Sequence, residues 1–228
     1  MPTVIRILAG WLFLQASLAF AGPPPQKEFE PRDGKGAALV LVSGQTGPGN
    51  YGELAKDLAG AGFYVVLVDG NDFWIKGGGG EALLRDVITR AQQSPHALPG
   101  KVAVIGCSLG GASVLTYAAR MPELVNAVVA QYPLTSFITD APGFVGKLRV
   151  PTLVLAGTFD TYKNCCLIEN ARRLGEAGKA ATTPGILQVH EYAGVDHGFS
   201  TDTSRRRDIR SDSIQRSVDF LRQHAGTA

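Results

Sequence analysis

Histidine and cysteine are scarce in this chain: its 228 residues hold four of the first and three of the second. A protein-built metal centre draws on clusters of these side chains at short, regular spacing. No histidine or further cysteine lies at such spacing from the one adjacent pair, Cys165 and Cys166, so no metal site is expected. Charge of one sign is also missing. Lys and Arg number 22 against 20 Asp and Glu, a balance that argues against a nucleic-acid partner. There is no internal repeat and no second long hydrophobic run. The glycine-rich stretches at Gly44–Gly49 and Gly106–Gly111 lack the Gly-Lys-Ser/Thr ending of a P-loop. A dinucleotide fingerprint over Gly106, Ser108 and Gly111 lacks its middle glycine, the one that lets backbone approach a pyrophosphate. No cofactor is expected.

What is present begins with an N-terminal leader. Arg6 supplies a positive start, Ile7 to Phe20 an apolar stretch, and Ala19-Phe20-Ala21 a small-residue cleavage site. Residues 1–21 therefore read as a signal peptide, too short and too polar at Gln15 and Ser17 for a stable span. Export to the periplasm or the medium is the expectation, with retention as an anchor the alternative. Residues 22–36, opening on Gly22-Pro23-Pro24-Pro25, read as an extended segment. Residues 37–228 read as a single domain with enough length for a sizeable core. Removing Arg6 leaves 21 basic against 20 acidic residues. In an oxidising compartment three cysteines, an odd count, flag either a free thiol or an intermolecular bond. Cys165 and Cys166 either close a vicinal disulfide, leaving Cys107 buried and free, or are two ordinary small residues.

From Ala37 onward strand and helix alternate. Apolar runs at Leu39–Val42, Tyr64–Val68, Val102–Ile105, Ala127–Ala130, Thr152–Leu155 and Leu187–His190 read as six strands. Most are apolar on both faces, as in a covered parallel sheet. Helices are expected at Tyr51–Ala61, Glu81–Gln93, Leu109–Arg120, Cys166–Gly178 and about Asp212–His224. The fold class is α/β: a mainly parallel, doubly wound sheet of about six strands with helices on both faces. Asp69 to Gly80 reads as a mobile, aromatic surface loop carrying Phe73 and Trp74. Pro133 to Val150 is the one long insertion, a small cover over an open site.

The chemistry starts at Ser108, in Gly106-Cys107-Ser108-Leu109-Gly110 directly after the run Val102–Ile105. This is the G-x-S-x-G elbow, whose flanking glycines let strand and helix approach around a strained central residue. A Cys107-centred elbow would need glycine where Ile105 and Leu109 stand. A serine hydroxyl attacks only when an imidazole takes its proton and a third group orients that imidazole. His197 follows the last strand, whereas His96, His190 and His224 lie away from the carboxyl edge where an open parallel sheet collects ligands. Asp160, just past the fifth strand, is the leading acid, Asp140 the runner-up and Asp196 a weak third. The order Ser108, Asp160, His197 is that of α/β-hydrolases. Two backbone N–H groups must meet the oxyanion. Leu109 supplies one; Gln45, with Thr46 one register step away, supplies the other.

The chain resembles the dienelactone hydrolase family of the α/β-hydrolase superfamily. The resemblance rests on Gly106-Cys107-Ser108-Leu109-Gly110-Gly111, Gly157-Thr158-Phe159-Asp160 and Asp196-His197-Gly198-Phe199, within a nearly full-length α/β pattern. It implies an α/β-hydrolase fold and acyl transfer to water without a cofactor. The namesake carries cysteine as nucleophile; serine stands here at position 108, as in many relatives, which points to a serine esterase-like enzyme. The expected substrate is a small carboxylic ester, with lactones and thioesters open. The contrasting expectation is a non-catalytic binding or scaffolding protein on the same fold. The run Arg205-Arg206-Arg207 suits anionic esters or is a solvated face.

Overall fold

The structure is a computed structural model that describes residues 25–74 and 79–225. The leader read at 1–21 lies outside the described residues, as do Gly22, Pro23 and Pro24. Among the described residues seven strands form one sheet: β1 (Gln26–Phe29), β2 (Ala37–Val42), β3 (Phe63–Val68), β4 (Val102–Cys107), β5 (Val125–Gln131), β6 (Thr152–Gly157) and β7 (Leu187–Tyr192). Their spatial order is β1-β3-β2-β4-β5-β6-β7. All neighbours pair in parallel except β1, which runs antiparallel to β3 with Gln26 opposite Val68. The six strands read from apolar runs are all present. The seventh, β1, lies inside the segment read only as extended. Its sequence Gln-Lys-Glu-Phe has no apolar run because an edge strand exposes most of its side chains, and its charges guard the open edge. Tyr64 on β3 donates its hydroxyl proton to Glu28 of β1 at 2.7 Å.

Six α-helices among the described residues follow the strands: α1 (Gly52–Gly60), α2 (Gly80–Gln92), α3 (Leu109–Thr116), α4 (Ala141–Val145), α5 (Ile168–Ala180) and α6 (Arg207–His224). Strand residues alternate between two cores, as the two-residue pleat requires. Ala38, Val40 and Val42 of β2 join Leu84 and Ile88 of α2, Val114 of α3 and Leu174 of α5 on one face. Leu39 and Leu41 join Leu54 and Leu58 of α1 and Leu221 of α6 on the other. Each face is therefore closed, which is why β2 to β6 tolerate no polar alternation.

Three local readings need correction. Phe73, assigned to a surface loop, is fully buried in the core, while its neighbour Trp74 is partly exposed and packs on Phe137 at 5.0 Å between rings. The helix after Ser108 ends at Thr116 and gives way to a separate 3₁₀ turn at Ala118–Arg120. The helix expected from Cys166 starts at Ile168, because Cys166 is bonded to Cys165 and Leu167 is extended before the first turn. The long insertion after β5 contains α4, capped by the Asp140 carboxylate, which accepts from Gly143 N–H at 3.0 Å.

The chain leaves β2 outward to β3, then returns to β4 on the other side of β2. A crevice opens beyond the carboxyl ends of strands where the order reverses in this way. The loops after β2 and β4 meet there, carrying Gln45 and Ser108.

Candidate active site

Ser108 links β4 to α3 with φ +52° and ψ −113°, a conformation L-residues avoid unless surrounding structure imposes it. Two glycines make it possible. A methyl on Gly106 would collide with the Gly110 carbonyl oxygen, and one on Gly110 with the Val42 and Ser43 carbonyl oxygens. The backbone N–H of Ser108 donates to Gln131 O at 3.0 Å and its carbonyl accepts from Leu134 N–H at 2.9 Å, so the β5 loop clamps the turn.

His197 arrives in the turn after β7 and Asp160 in the turn after β6. The imidazole lies between the other two side chains: Nδ1 is 2.7 Å from Asp160 Oδ2, and Nε2 is 3.0 Å from Ser108 Oγ. A carboxylate only accepts, so Nδ1 carries the proton and donates it. Nε2 of the neutral ring is then an acceptor facing the serine hydroxyl. The second oxygen of Asp160 accepts from Tyr162 N–H at 3.2 Å, and the residue is 2% exposed, which shields the ion pair it would form from water. Asp140 is taken up in capping α4, and Asp196 points outward on an exposed turn.

The other histidines lie elsewhere. His96 stacks on Tyr64 and contacts the Gly34 carbonyl. His190 packs on Tyr192 within β7, where burial lowers its pKa. His224 contacts the Phe220 carbonyl at the end of α6.

The loop after β2 closes as a turn, Gly47 N–H donating to Gly44 O at 3.0 Å. Asn71 Nδ2 pins it by donating to Gln45 O at 3.1 Å. The central N–H groups of Gln45 and Thr46 have no hydrogen-bond partner among the described residues. Neither has Leu109 N–H, the first of α3, which the helix itself cannot satisfy. Gln45, Thr46, Ser108 and His197 line one cleft of about 240 Å³ with Tyr51 and Tyr132. A larger cleft of about 530 Å³ adjoins it, sharing His197, Gly198, Thr201 and Thr203, and is lined by Phe159, Arg205 and Arg206. Arg206 there pairs with Asp208 at 3.3 Å.

Sequence reasoning missed the aromatic frame of the imidazole. Tyr162 stacks flat on it with ring centroids 4.6 Å apart, and Tyr132 meets its edge at 4.9 Å. Tyr132 has φ +36°, unusual for a bulky side chain, and shares a 2.8 Å hydrogen bond with Ser200. Its place directly after β5, at the carboxyl edge of the sheet, was the available signal. Burial pushes the Tyr132 and Tyr51 hydroxyls well above the usual tyrosine range, so both stay neutral. Burial likewise pushes the Cys107 thiol up to about 12, which removes it as a thiolate nucleophile. Cys165 and Cys166 form a vicinal disulfide, the first of the two open readings, and Cys107 is the buried free thiol. The fold brings His197, distant in sequence, close to both sulfurs, with its ligand atom and theirs all within 4.8 Å of one another.

Residues 75–225 match the model of the dienelactone hydrolase family. The chain belongs to that family. Membership makes this dienelactone hydrolase relative an enzyme acting on ester bonds, with serine at the elbow. Solved structures share its fold. A Klebsiella pneumoniae protein assigned to the dienelactone hydrolases is 19% identical, with TM-score 0.72, covering 87% of this chain and 92% of that one. An esterase of Pyrococcus furiosus is 13% identical, with TM-score 0.69, covering 98% and 100%. Esterase 2 of Thermogutta terrifontis, phosphoramylated by tabun in that structure, is 17% identical, with TM-score 0.68, covering 87% and 88%. A search among curated proteins finds no match. No helix among the described residues is long and apolar enough to cross a membrane.

Proposed function

We propose that this family member hydrolyses small carboxylic esters through an acyl-enzyme on Ser108. His197 Nε2 takes the hydroxyl proton as Ser108 Oγ bonds to the ester carbonyl carbon. The tetrahedral oxyanion that forms is met by the N–H groups of Leu109 and Gln45. Asp160 stabilises the imidazolium and holds its tautomer. His197 then protonates the departing alcohol, activates a water against the acyl-enzyme, and returns the proton to Ser108. The unbroken line Asp160–His197–Ser108, at 2.7 and 3.0 Å, is the observation that carries this reading.

The unsatisfied N–H groups beside Ser108 support the oxyanion role, since a preorganised donor acts where charge develops. The cleft at the serine falls below the roughly 300–1,000 Å³ of pockets for drug-sized ligands, which favours short acyl groups. Arg205 and Arg206 beside the larger cleft favour an anionic leaving side. Esterase 2 of Thermogutta is modified by an organophosphorus agent, so the same reagent class is the natural probe here.

Turnover of p-nitrophenyl acetate, with one fluorophosphonate bound per chain, is the expected result, and Ser108→Ala should abolish both. Unchanged hydrolysis in Ser108→Ala would reject the mechanism, and inert wild-type protein would favour a binding role. We also propose that residues 1–21 direct export and are removed, which the N-terminal mass of protein from the cell envelope or medium tests.

A further inference from the structure

The segment from Asp160 to Cys166 wraps the imidazole of His197. Asp160 holds Nδ1, Tyr162 stacks on the ring, and the Cys165–Cys166 disulfide lies within 4.8 Å of a ring nitrogen. Both sulfurs and a ring nitrogen of His197 lie within 4.8 Å of one another. The pair is fixed from outside the ring too: the Cys165 carbonyl accepts from Thr135 and Ser136 N–H at 2.9 and 3.0 Å. Those anchors use backbone only and do not depend on whether the sulfurs are joined.

We propose that, when the disulfide is reduced, Cys165, Cys166 and His197 form a binding site for one soft divalent metal ion of the Zn²⁺ or Cd²⁺ type. A dithiol reductant supplies two electrons and two protons, cleaves the S–S bond and leaves as its own disulfide. Cys165 is partly exposed and offers the sulfur to attack, whereas Cys166 is buried. The metal then displaces the two thiol protons and bonds to two thiolates and to one imidazole nitrogen, which gives up its hydrogen bond to Ser108 or Asp160; bonding at Nδ1 moves that atom's proton to Nε2. Tetrahedral bonds of about 2.3 Å to sulfur and about 2.0 Å to nitrogen put ligand atoms roughly 3.5–4 Å apart. The three groups, already within 4.8 Å of one another, approach that spacing once the sulfurs separate. Water fills the fourth position. Two thiolates also make the site selective for thiophilic ions over Mg²⁺ or Ca²⁺.

Metal binding stands on these three residues alone. Its consequence for catalysis rests on the reading of His197 as the base: an imidazole bound to metal cannot take the Ser108 proton. The ion would then silence the enzyme only after reduction, so the oxidised pair protects the site from metal.

The test titrates Cd²⁺ into the full purified chain, either oxidised or reduced by a dithiol and desalted. Binding is read by the thiolate-to-metal ultraviolet band and by native mass. One Cd²⁺ per reduced chain is expected, with none on the oxidised chain or on reduced C165S/C166S. The H197A variant should keep the band but bind more weakly by at least about tenfold, the lower end of the cost of losing even an outer partner of a ligand. Hydrolysis by the reduced chain should fall about tenfold or more with one equivalent and return with a chelator. No band in the reduced chain, equal binding by C165S/C166S, or H197A binding as tightly as wild type overturns the site. Oxidised wild type is a control that needs no substitution to fold. The band and mass do not require activity, so they separate failure of the metal site from failure of the hydrolase reading.

Discussion

Replacing Asp160 with asparagine tests the catalytic line at one atom. In the native site Oδ1 accepts from Tyr162 N–H at 3.2 Å and Oδ2 accepts from His197 Nδ1 at 2.7 Å. An asparagine has one acceptor and one donor end. The backbone N–H can only donate, so the amide oxygen must stay on Tyr162 and the NH₂ must face the imidazole. Nδ1 then becomes an acceptor, and the ring proton moves to Nε2, against the Ser108 hydroxyl. The base is lost although every heavy atom keeps its place. Tautomer reversal of this kind costs about 10⁴ in kcat, or about 5.4 kcal/mol at 1.36 kcal/mol per decade. The assay is p-nitrophenyl acetate hydrolysis by Asp160→Asn, with its melting temperature as a check on folding. Asp140→Ala is the matched control: it should cost about 1 kcal/mol of stability through the lost α4 cap and leave hydrolysis within about twofold. A folded Asp160→Asn within tenfold of wild type, or an Asp140→Ala variant as crippled as expected for Asp160, would refute the assignment.

Alkylation of the denatured, non-reduced chain should label one thiol, Cys107, by intact mass; three labels would reject the Cys165–Cys166 bond. Alkali should destabilise the fold through Cys107, whose proton is held to about pH 12 when folded and is lost near 9 when unfolded. The folded chain binds more protons in that window, so stability is intact below about pH 9 and falls as pH rises, by up to about 1.36 kcal/mol per unit. Urea midpoints at pH 8 and 10.5 should show a smaller drop for Cys107→Ala than for wild type; an identical drop would count against the buried thiol. Tyr162→Ala removes the ring stacked on His197 and should lower kcat by roughly two- to tenfold, the equivalent of about 0.5–1.5 kcal/mol, with KM less affected. An unchanged kcat would limit Tyr162 to the surface.

Much of the architecture was legible because a covered parallel sheet forces apolar residues onto both faces of its strands. The runs at β2 to β6 carry that mark, and the glycines around Ser108 mark a place where strand and helix nearly touch. β1 was not legible: an edge strand exposed on most of its length needs no apolar pattern, and Lys27 and Glu28 read as linker. Phe73 was misplaced because a lone aromatic among polar and glycine residues gives no periodicity. Its burial is a tertiary contact, in one core cluster with Val68, Leu84 and Ile88.

The candidate site divides along the same boundary. Elbow register and chain order single out Ser108 and His197 from sequence, since both follow from local geometry and strand position. The choice between Asp160 and Asp140 is long-range: both follow strands at the carboxyl edge, and only the packed loops decide which carboxylate meets the ring and which caps a helix. The joining of Cys165 to Cys166, and their approach to a histidine about thirty positions away, likewise come from folding. Periodicity along a chain encodes which face a residue takes, because burial is a local demand repeated every two or 3.6 residues. Which loops converge beyond the sheet is set by strand order and three-dimensional packing, and no local pattern records it.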